Sequence, residues 1–336
     1  MFSMRLIPVL VLTILLTSCG GKAAPLSSPT PDAPPSALPT PEVVSTQPPL
    51  FNQSVIGYFP DYRELDTAWA QNLTDIIYFS AEPNADGTLD ASRLLEETWR
   101  SLEQMKTDDG IRLHLSIGGW ERDGAFAEMT SNPQARQTFI ANLLEYLLTR
   151  NLDGADFDWE FPKTDAEFEN YIALLTETKT AFSKYDLLVS VALPAESHYP
   201  LGDFAVVDRV HLMSYDRGNR HSTYEQAVID VQTFLDAGIP PEKLILGLPF
   251  YGRKISPPHS SLPYSEIVKG YSPAPDVDEV DGMYFNGVDT IRQKVCYGIA
   301  EGLGGFMIWE ISQDTSDASS LLQQIFSLAT GNEQCE

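Results

Sequence analysis

The chain has 336 residues, 43% of them hydrophobic, enough for a sizeable core in one large domain or two ordinary ones. Its net charge is -25 at pH 7 and no basic stretch interrupts the acidic excess. That balance excludes a nucleic-acid binder working by phosphate neutralisation and favours a neutral substrate.

At the N-terminus, Arg5 precedes an apolar run over residues 6–16, too short for a comfortable membrane span and suited to the core of an export signal. Leu16-Thr17-Ser18-Cys19 follows and is similar to the lipobox of bacterial lipoproteins, whose signal peptide is removed just before a lipidated cysteine. An ordinary cleavable signal with an incidental cysteine is the alternative. Residues 22–50 contain nine prolines among Ser, Thr and Ala, a composition that stays extended and builds no core. At roughly 3.1 Å per residue, such a tether reaches up to about 90 Å. The expected organisation is therefore a signal peptide over 1–18, a lipidated Cys19 with a linker to residue 50, and a folded domain over 51–336. The protein is expected to be exported, held by lipid on a membrane and facing the cell exterior or periplasm, and monomeric. Cys296 and Cys335 remain: an oxidising compartment lets them form a disulfide tying the C-terminal tail to the preceding helix, and two buried free thiols are the alternative.

From residue 54 onward, short apolar runs alternate with helix-period segments. The candidate strands are 55–59, 76–80, 113–117, 155–160, 188–192, 209–213, 244–248 and 305–309. Between the third and fourth, Phe139, Ile140, Leu143, Leu144, Leu147 and Leu148 form one apolar helix face. Eight strand-helix units predict an α/β fold of the (β/α)₈ barrel type, a TIM barrel. A doubly wound open sheet is the alternative, and it lacks a Gly-rich phosphate loop after the first strand. In a barrel the active site lies at the C-terminal ends of the strands. The unusual residues fall there: Tyr58 in the first strand, Gly119 and Trp120 after the third, and Glu160 closing the fourth. Met213, Tyr215 and Asp216 end the sixth, Tyr251 and Arg253 follow the seventh, and Trp309 closes the eighth.

The fourth strand carries the strongest signal. Strand side chains alternate, so Asp156, Asp158 and Glu160 project to one side with neighbouring Cα atoms roughly 6.6 Å apart. Folding gains nothing from clustered acids, because each buried charge costs several kcal/mol unless paired or protonated, so the cluster points to chemistry. The alternatives are an acidic solvated edge strand, opposed by the bulky Phe157 and Trp159 on the other face, and a divalent-metal site, opposed by the absence of a histidine at ligand spacing. No cofactor or metal is expected. Asp153 has the wrong parity to join the acids and reads as structural.

Paired carboxylates in a mouth lined with Trp and Tyr suggest sugar chemistry, in which aromatic faces stack on pyranose rings and a carboxyl protonates the glycosidic oxygen. Asp153-x-x-Asp156-x-Asp158-x-Glu160 resembles the signature of glycoside hydrolase family 18, the chitinases and related endo-N-acetylglucosaminidases. Ser116-x-Gly118-Gly119 and Met213-x-Tyr215-Asp216 resemble further motifs of that family, as do residues 246–252 and 304–309, all in the family's order. The resemblance implies substrate-assisted, retaining hydrolysis of β-1,4-linked N-acetylglucosamine chains. Glu160 would be the proton donor and Asp158 would orient the substrate's acetamido group. Asp156 would tune Asp158, Tyr215 would bond the acetamido carbonyl, and Trp309 would form the floor. Tyr58, Gly119, Trp120, Met213, Asp216, Tyr251 and Arg253 are the accompanying candidates for substrate contact. Partial burial and negative neighbours are expected to raise the pKa of Glu160.

Two departures accompany the resemblance. Only about 50 residues separate Tyr251 from the last strand, several of them assigned to a helix over 288–301, so no large insertion subdomain and a shallower cleft are expected. Residues 217–222 also lack aromatic side chains to extend the platform. The alternative functions are cleavage within the N-acetylglucosamine core of N-glycans, cleavage of a wall polymer, and non-catalytic chitin binding. Retention of Glu160 speaks against the last of these.

Overall fold

A computed structural model describes residues 53–335. The export signal, Cys19 and the proline-rich segment lie outside the described residues. Eight parallel strands close into a barrel: β1 (Ser54–Pro60), β2 (Asp75–Pro83), β3 (Arg112–Gly118), β4 (Gly154–Asp158), β5 (Leu188–Pro194), β6 (Arg209–Met213), β7 (Leu244–Pro249) and β8 (Gly305–Trp309). Each pairs with its sequence neighbours, and β1 pairs with both β2 and β8, which closes the ring. The expected barrel is therefore present, with strand bounds shifted by up to three residues. One shift bears on the site: β4 ends at Asp158, so Glu160 lies beyond the strand.

The alternation within these strands builds two separate cores. Ile56 and Tyr58, Ile77 and Phe79, Ile245 and Met307 point inward and pack with Tyr215 inside the barrel. Val55 and Phe59, Ile76 and Tyr78, Phe306 and Ile308 point outward into the larger core shared with the helices. Burying each such side chain contributes on the order of 1.5–3 kcal/mol.

The helices are α1 (Glu96–Asp109), α2 (Phe126–Ser131), α3 (Pro133–Thr149), α4 (Asp165–Phe182), α5 (Tyr224–Asp236), α6 (Tyr264–Tyr271), α7 (Val288–Ala300) and α8 (Leu321–Ala329). Their starts follow from capping chemistry: Asn132 accepts from the Gln134 and Ala135 amides ahead of α3, and Thr223 and Gln226 form a reciprocal capping box on α5. On α3, Phe139, Ile140, Leu143 and Leu147 are buried as expected, whereas Leu148 is 45% exposed because it sits one step past the inward face. Two connections, after β1 and after β5, use 3₁₀ helices (Thr67–Asn72 and Leu201–Val206) in place of the expected α-helix. No helix among the described residues is long and apolar enough to cross a membrane.

Between β7 and α7 the chain folds into a small α+β insertion that the sequence reading did not resolve. Strands Tyr251–Lys254, Ser261–Pro263, Glu279–Val280 and Met283–Tyr284 form an antiparallel sheet with α6 beside it. Strands of two to four residues carry too little periodicity to be read from sequence. Cys296 and Cys335 form a disulfide, which resolves the open alternative and fastens the tail to α7.

At the N-terminal end of the barrel, buried Asp75 accepts from Arg209 Nη1, from Arg112 Nη2 and from Thr74 Oγ1, and its Oδ1 lies 2.8 Å from His114 Nε2. Asp153 is structural here too: it pairs with Lys106 Nζ at 2.7 Å and accepts the Leu113 amide at 2.8 Å.

Candidate active site

At the C-terminal ends of the strands lies a cavity of about 850 Å³. Asp158, Glu160, Met213, Tyr215, Asp216, Arg253, Trp120 and Trp309 all contribute to its wall, together with Tyr58. These positions come from β1, β3, β4, β6, β8 and the insertion, and only barrel closure brings them together.

The acids are set apart by their surroundings. Asp156 is fully buried inside the barrel. Its Oδ2 accepts from the Tyr58 hydroxyl at 2.7 Å, its Oδ1 accepts from Ser190 Oγ at 2.6 Å, and His211 Nδ1 lies 3.2 Å from Oδ1. Burial pushes its carboxyl up, but His211, Ser190 and Tyr58 together outweigh that and hold it below the usual carboxylate range. Two residues on, Asp158 goes the other way: burial, then the charges of Glu160, Asp156 and Asp123, lift it well above its usual range. Its Oδ1 is buried with no hydrogen-bond partner. Adjacent carboxyls on one face cannot both ionise cheaply, and the donors around Asp156 decide which keeps the charge.

Glu160 is half-buried at the cavity wall. Burial, followed by Asp123 and Asp216, raises its pKa to about 7, against a smaller opposing effect of the Trp120 backbone N–H. Phe157 and Trp159 face outward as expected; Trp159 stacks on Phe126 with ring centroids 5.2 Å apart. At the end of β3, Gly119 has φ +98° and its N–H donates to the Asp158 carbonyl at 2.6 Å. A Cβ there would come within 2.3 Å of the Phe79 ring, so only glycine lets this strand end pass over Asp158.

Trp309 packs in T-shaped contacts with Phe79 and Tyr58, at 5.0 and 5.7 Å between centroids, and lines the cavity. Trp120 is 69% exposed, and Tyr62, which the sequence reading did not single out, also lines the cavity and is 60% exposed. Burial first, then Asp158, Asp216 and Glu160, raise the Tyr215 phenol well above its ordinary value, so it stays a neutral donor. Arg253 Nη1 donates to Asp216 Oδ1 at 2.9 Å.

Three expected substrate contacts sit differently. Tyr58 lines the cavity, but its hydroxyl is committed to Asp156 and to His211 Nδ1 at 2.8 Å. Gly119 packs against the Asp158 backbone through its N–H and does not line the cavity. Tyr251 stacks on His221 at 5.1 Å, behind Asp216. The sequence reading missed His211 and Ser190, although counting back by two from Met213, and along β5, places both inside the barrel. Among the described residues, no group of three or more His, Cys, Asp or Glu side chains could hold a metal ion.

Residues 54–314 match the family described as Glycosyl hydrolases family 18. The chain belongs to that family. This glycoside hydrolase is 25% identical to Chitinase 1 of Aphanocladium album over 331 residues, covering 75% of this chain and 78% of that one. It is 27% identical to Endochitinase 1 of Metarhizium robertsii, with 65% of each chain covered. Among solved structures, a family 18 chitinase from the chitin utilization locus of Flavobacterium johnsoniae superposes with a TM-score of 0.72 at 26% identity, covering 83% of this chain and 94% of that one. In this glycoside hydrolase Asp158, Glu160, Tyr215 and Trp309 thus line a cavity at the mouth of a barrel of the same kind.

Proposed function

We propose that this glycoside hydrolase cleaves β-1,4-linked N-acetylglucosamine chains with retention, using the substrate's own acetamido oxygen as nucleophile. The observation that carries this reading is Asp158: a buried carboxyl beside the proton donor, with one oxygen lacking any protein partner. Leaving such a group unsatisfied costs about 1–3 kcal/mol, and an acetamido N–H over Trp309 would satisfy it. Glu160 gives its proton to the glycosidic oxygen, and the C1–O bond breaks as the acetamido oxygen bonds to C1. The resulting oxazolinium ion is held by Asp158 through its N–H, while the Tyr215 hydroxyl faces the former carbonyl oxygen. Glu160, now a carboxylate, takes a proton from water, which attacks C1 and reopens the ring. The names of the relatives and neighbours support chitin as the polymer.

N-acetylated chitin oligomers should be cut with the β configuration kept in the first product by NMR, and a thiazoline analogue of the cyclised intermediate should inhibit well below the substrate KM. Efficient cleavage of chitosan or cellulose oligomers would overturn the reading, because those sugars offer no internal nucleophile. Products from high-mannose glycopeptides instead would redirect it to N-glycan cores. We also propose that Cys19 carries lipid and tethers the exported enzyme, on the basis of Leu16-Thr17-Ser18-Cys19 and the proline-rich segment behind it. Detergent partitioning of wild type and Cys19→Ala decides this, and an unchanged soluble fraction would overturn it.

A further inference from the structure

Behind the loop that carries Tyr215 and Asp216 lies a fully buried lysine. Lys294 on α7 has no exposed surface. Its ammonium donates to Ser222 O at 2.9 Å, to Ser222 Oγ at 2.8 Å and to Asn286 Oδ1 at 2.8 Å. An ammonium has three donors and no acceptor, so each is used. Asn286 Nδ2 donates to the same Ser222 carbonyl at 2.7 Å, and Ser222 Oγ donates to the carbonyl of Ser214 at 2.9 Å. Two hydrogen bonds therefore run from Lys294 to the peptide group that leads into Tyr215. On the opposite flank, Ser214 Oγ donates to Asp230 Oδ2 at 2.6 Å, and Arg217 pairs with Asp230.

This is an expensive way to fill space. Burial pulls the Lys294 pKa down to about 7, against the opposing charges of Asp278, Asp230 and Glu225. An apolar side chain of similar length would pack there without desolvating a cation. What the ammonium adds is direction: it ties α7 and the segment just ahead of it at Asn286 to the end of the 214–222 loop, 72 residues away in sequence.

We propose that Lys294 is a positioning residue: by gripping Ser222 and Asn286 it fixes the 214–222 loop, and with it the Tyr215 hydroxyl, in the geometry the reaction needs. The role given to Tyr215 rests on the acetamido-assisted reading above; the anchoring of the loop does not.

The test compares wild type, Lys294→Met and Ser222→Ala, each also in a Tyr215→Phe background. Hydrogen exchange by mass spectrometry should show protection over 214–222 falling at least tenfold in Lys294→Met, with the barrel strands unchanged. On N-acetylated chitin oligomers, kcat should fall about ten- to a hundredfold while KM stays within about threefold. In the Tyr215→Phe background the same substitution should cost less than about twofold, because a residue acting through Tyr215 has nothing left to position. An equal loss in both backgrounds would show that the lysine does not act through the Tyr215 hydroxyl and would overturn the positioning role, and unchanged exchange would overturn the anchoring itself. If Lys294→Met does not fold, Ser222→Ala keeps the lysine, removes only the linking hydroxyl and carries the same cycle. A wild-type enzyme inactive on the oligomers would defeat the substrate reading, with the exchange arm still deciding the anchor.

Discussion

The Tyr58 hydroxyl donates to Asp156 Oδ2 at 2.7 Å, across the barrel interior and from 98 residues earlier in the chain. Burial and the neighbouring acids raise the phenol well above its ordinary pKa, so it remains a donor throughout the working range. Together with Ser190 and His211 it holds the Asp156 carboxyl below its usual range, while burial and the neighbouring acids push Asp158 the other way.

Tyr58→Phe removes one of those donors and nothing of the ring. A hydrogen bond to a charged group is worth about 1.5–3 kcal/mol, so kcat should fall by about ten- to a hundredfold as Asp156 competes with Asp158 for the proton. Steady-state kinetics on N-acetylated oligomers checks this; a kcat within twofold of wild type would mean that Tyr58 does not govern the pair.

In the proposed role of proton donor Glu160 must be protonated, and burial, Asp123 and Asp216 raise its pKa to about 7. Below that pH the acid form dominates; above it kcat/KM should drop about tenfold per pH unit. Glu160→Gln should lower kcat by about 10² to 10⁴ while oligomer binding survives. The residual activity should lose its alkaline limb, and persistence of that limb in the variant would assign it to another group.

Asp75 serves the opposite end of the barrel. Burial raises its pKa, but Arg209, His114 and Arg112 outweigh this and hold it well below the usual range. A depressed carboxyl contributes stability that is present above its unfolded pKa, about 3.9, and is lost as pH falls through the folded value. Asp75→Asn should therefore cost about 3–5 kcal/mol at pH 7, with kcat per folded molecule unchanged. Denaturant melts at pH 7 and at pH 3 check the sign, since the gap between variant and wild type should narrow at the lower pH.

The Cys296–Cys335 bridge closes a loop with a sequence separation of 39 residues. Chain entropy gives it on the order of 4 kcal/mol, an upper figure because the bridge fastens a terminus. Cys296→Ser should lower Tm, and a reductant should lower the Tm of wild type while leaving the variant unmoved. Equal sensitivity of both proteins would show that the bridge does not form in solution.

What the sequence determined by itself is what strand and helix periodicity can encode. Eight apolar runs with helical spacers specify the barrel, because each strand must bury both faces, and alternation alone places Asp156 and Asp158 on the inner face with Phe157 and Trp159 opposite. The same local rule reached too far at Glu160, which lies past the end of β4. It also missed the insertion sheet, whose strands are too short to show a period. Only the tertiary structure decided the partners. Tyr58, Ser190 and His211 meet at Asp156, Arg209 reaches Asp75 from 134 residues away, and Lys294 meets Ser222 from 72 residues away. The physical reason is that periodicity fixes which way a side chain points from its own strand or helix, whereas hydrogen-bonding partners, and the pKa shifts they impose, are fixed by the closure of the ring.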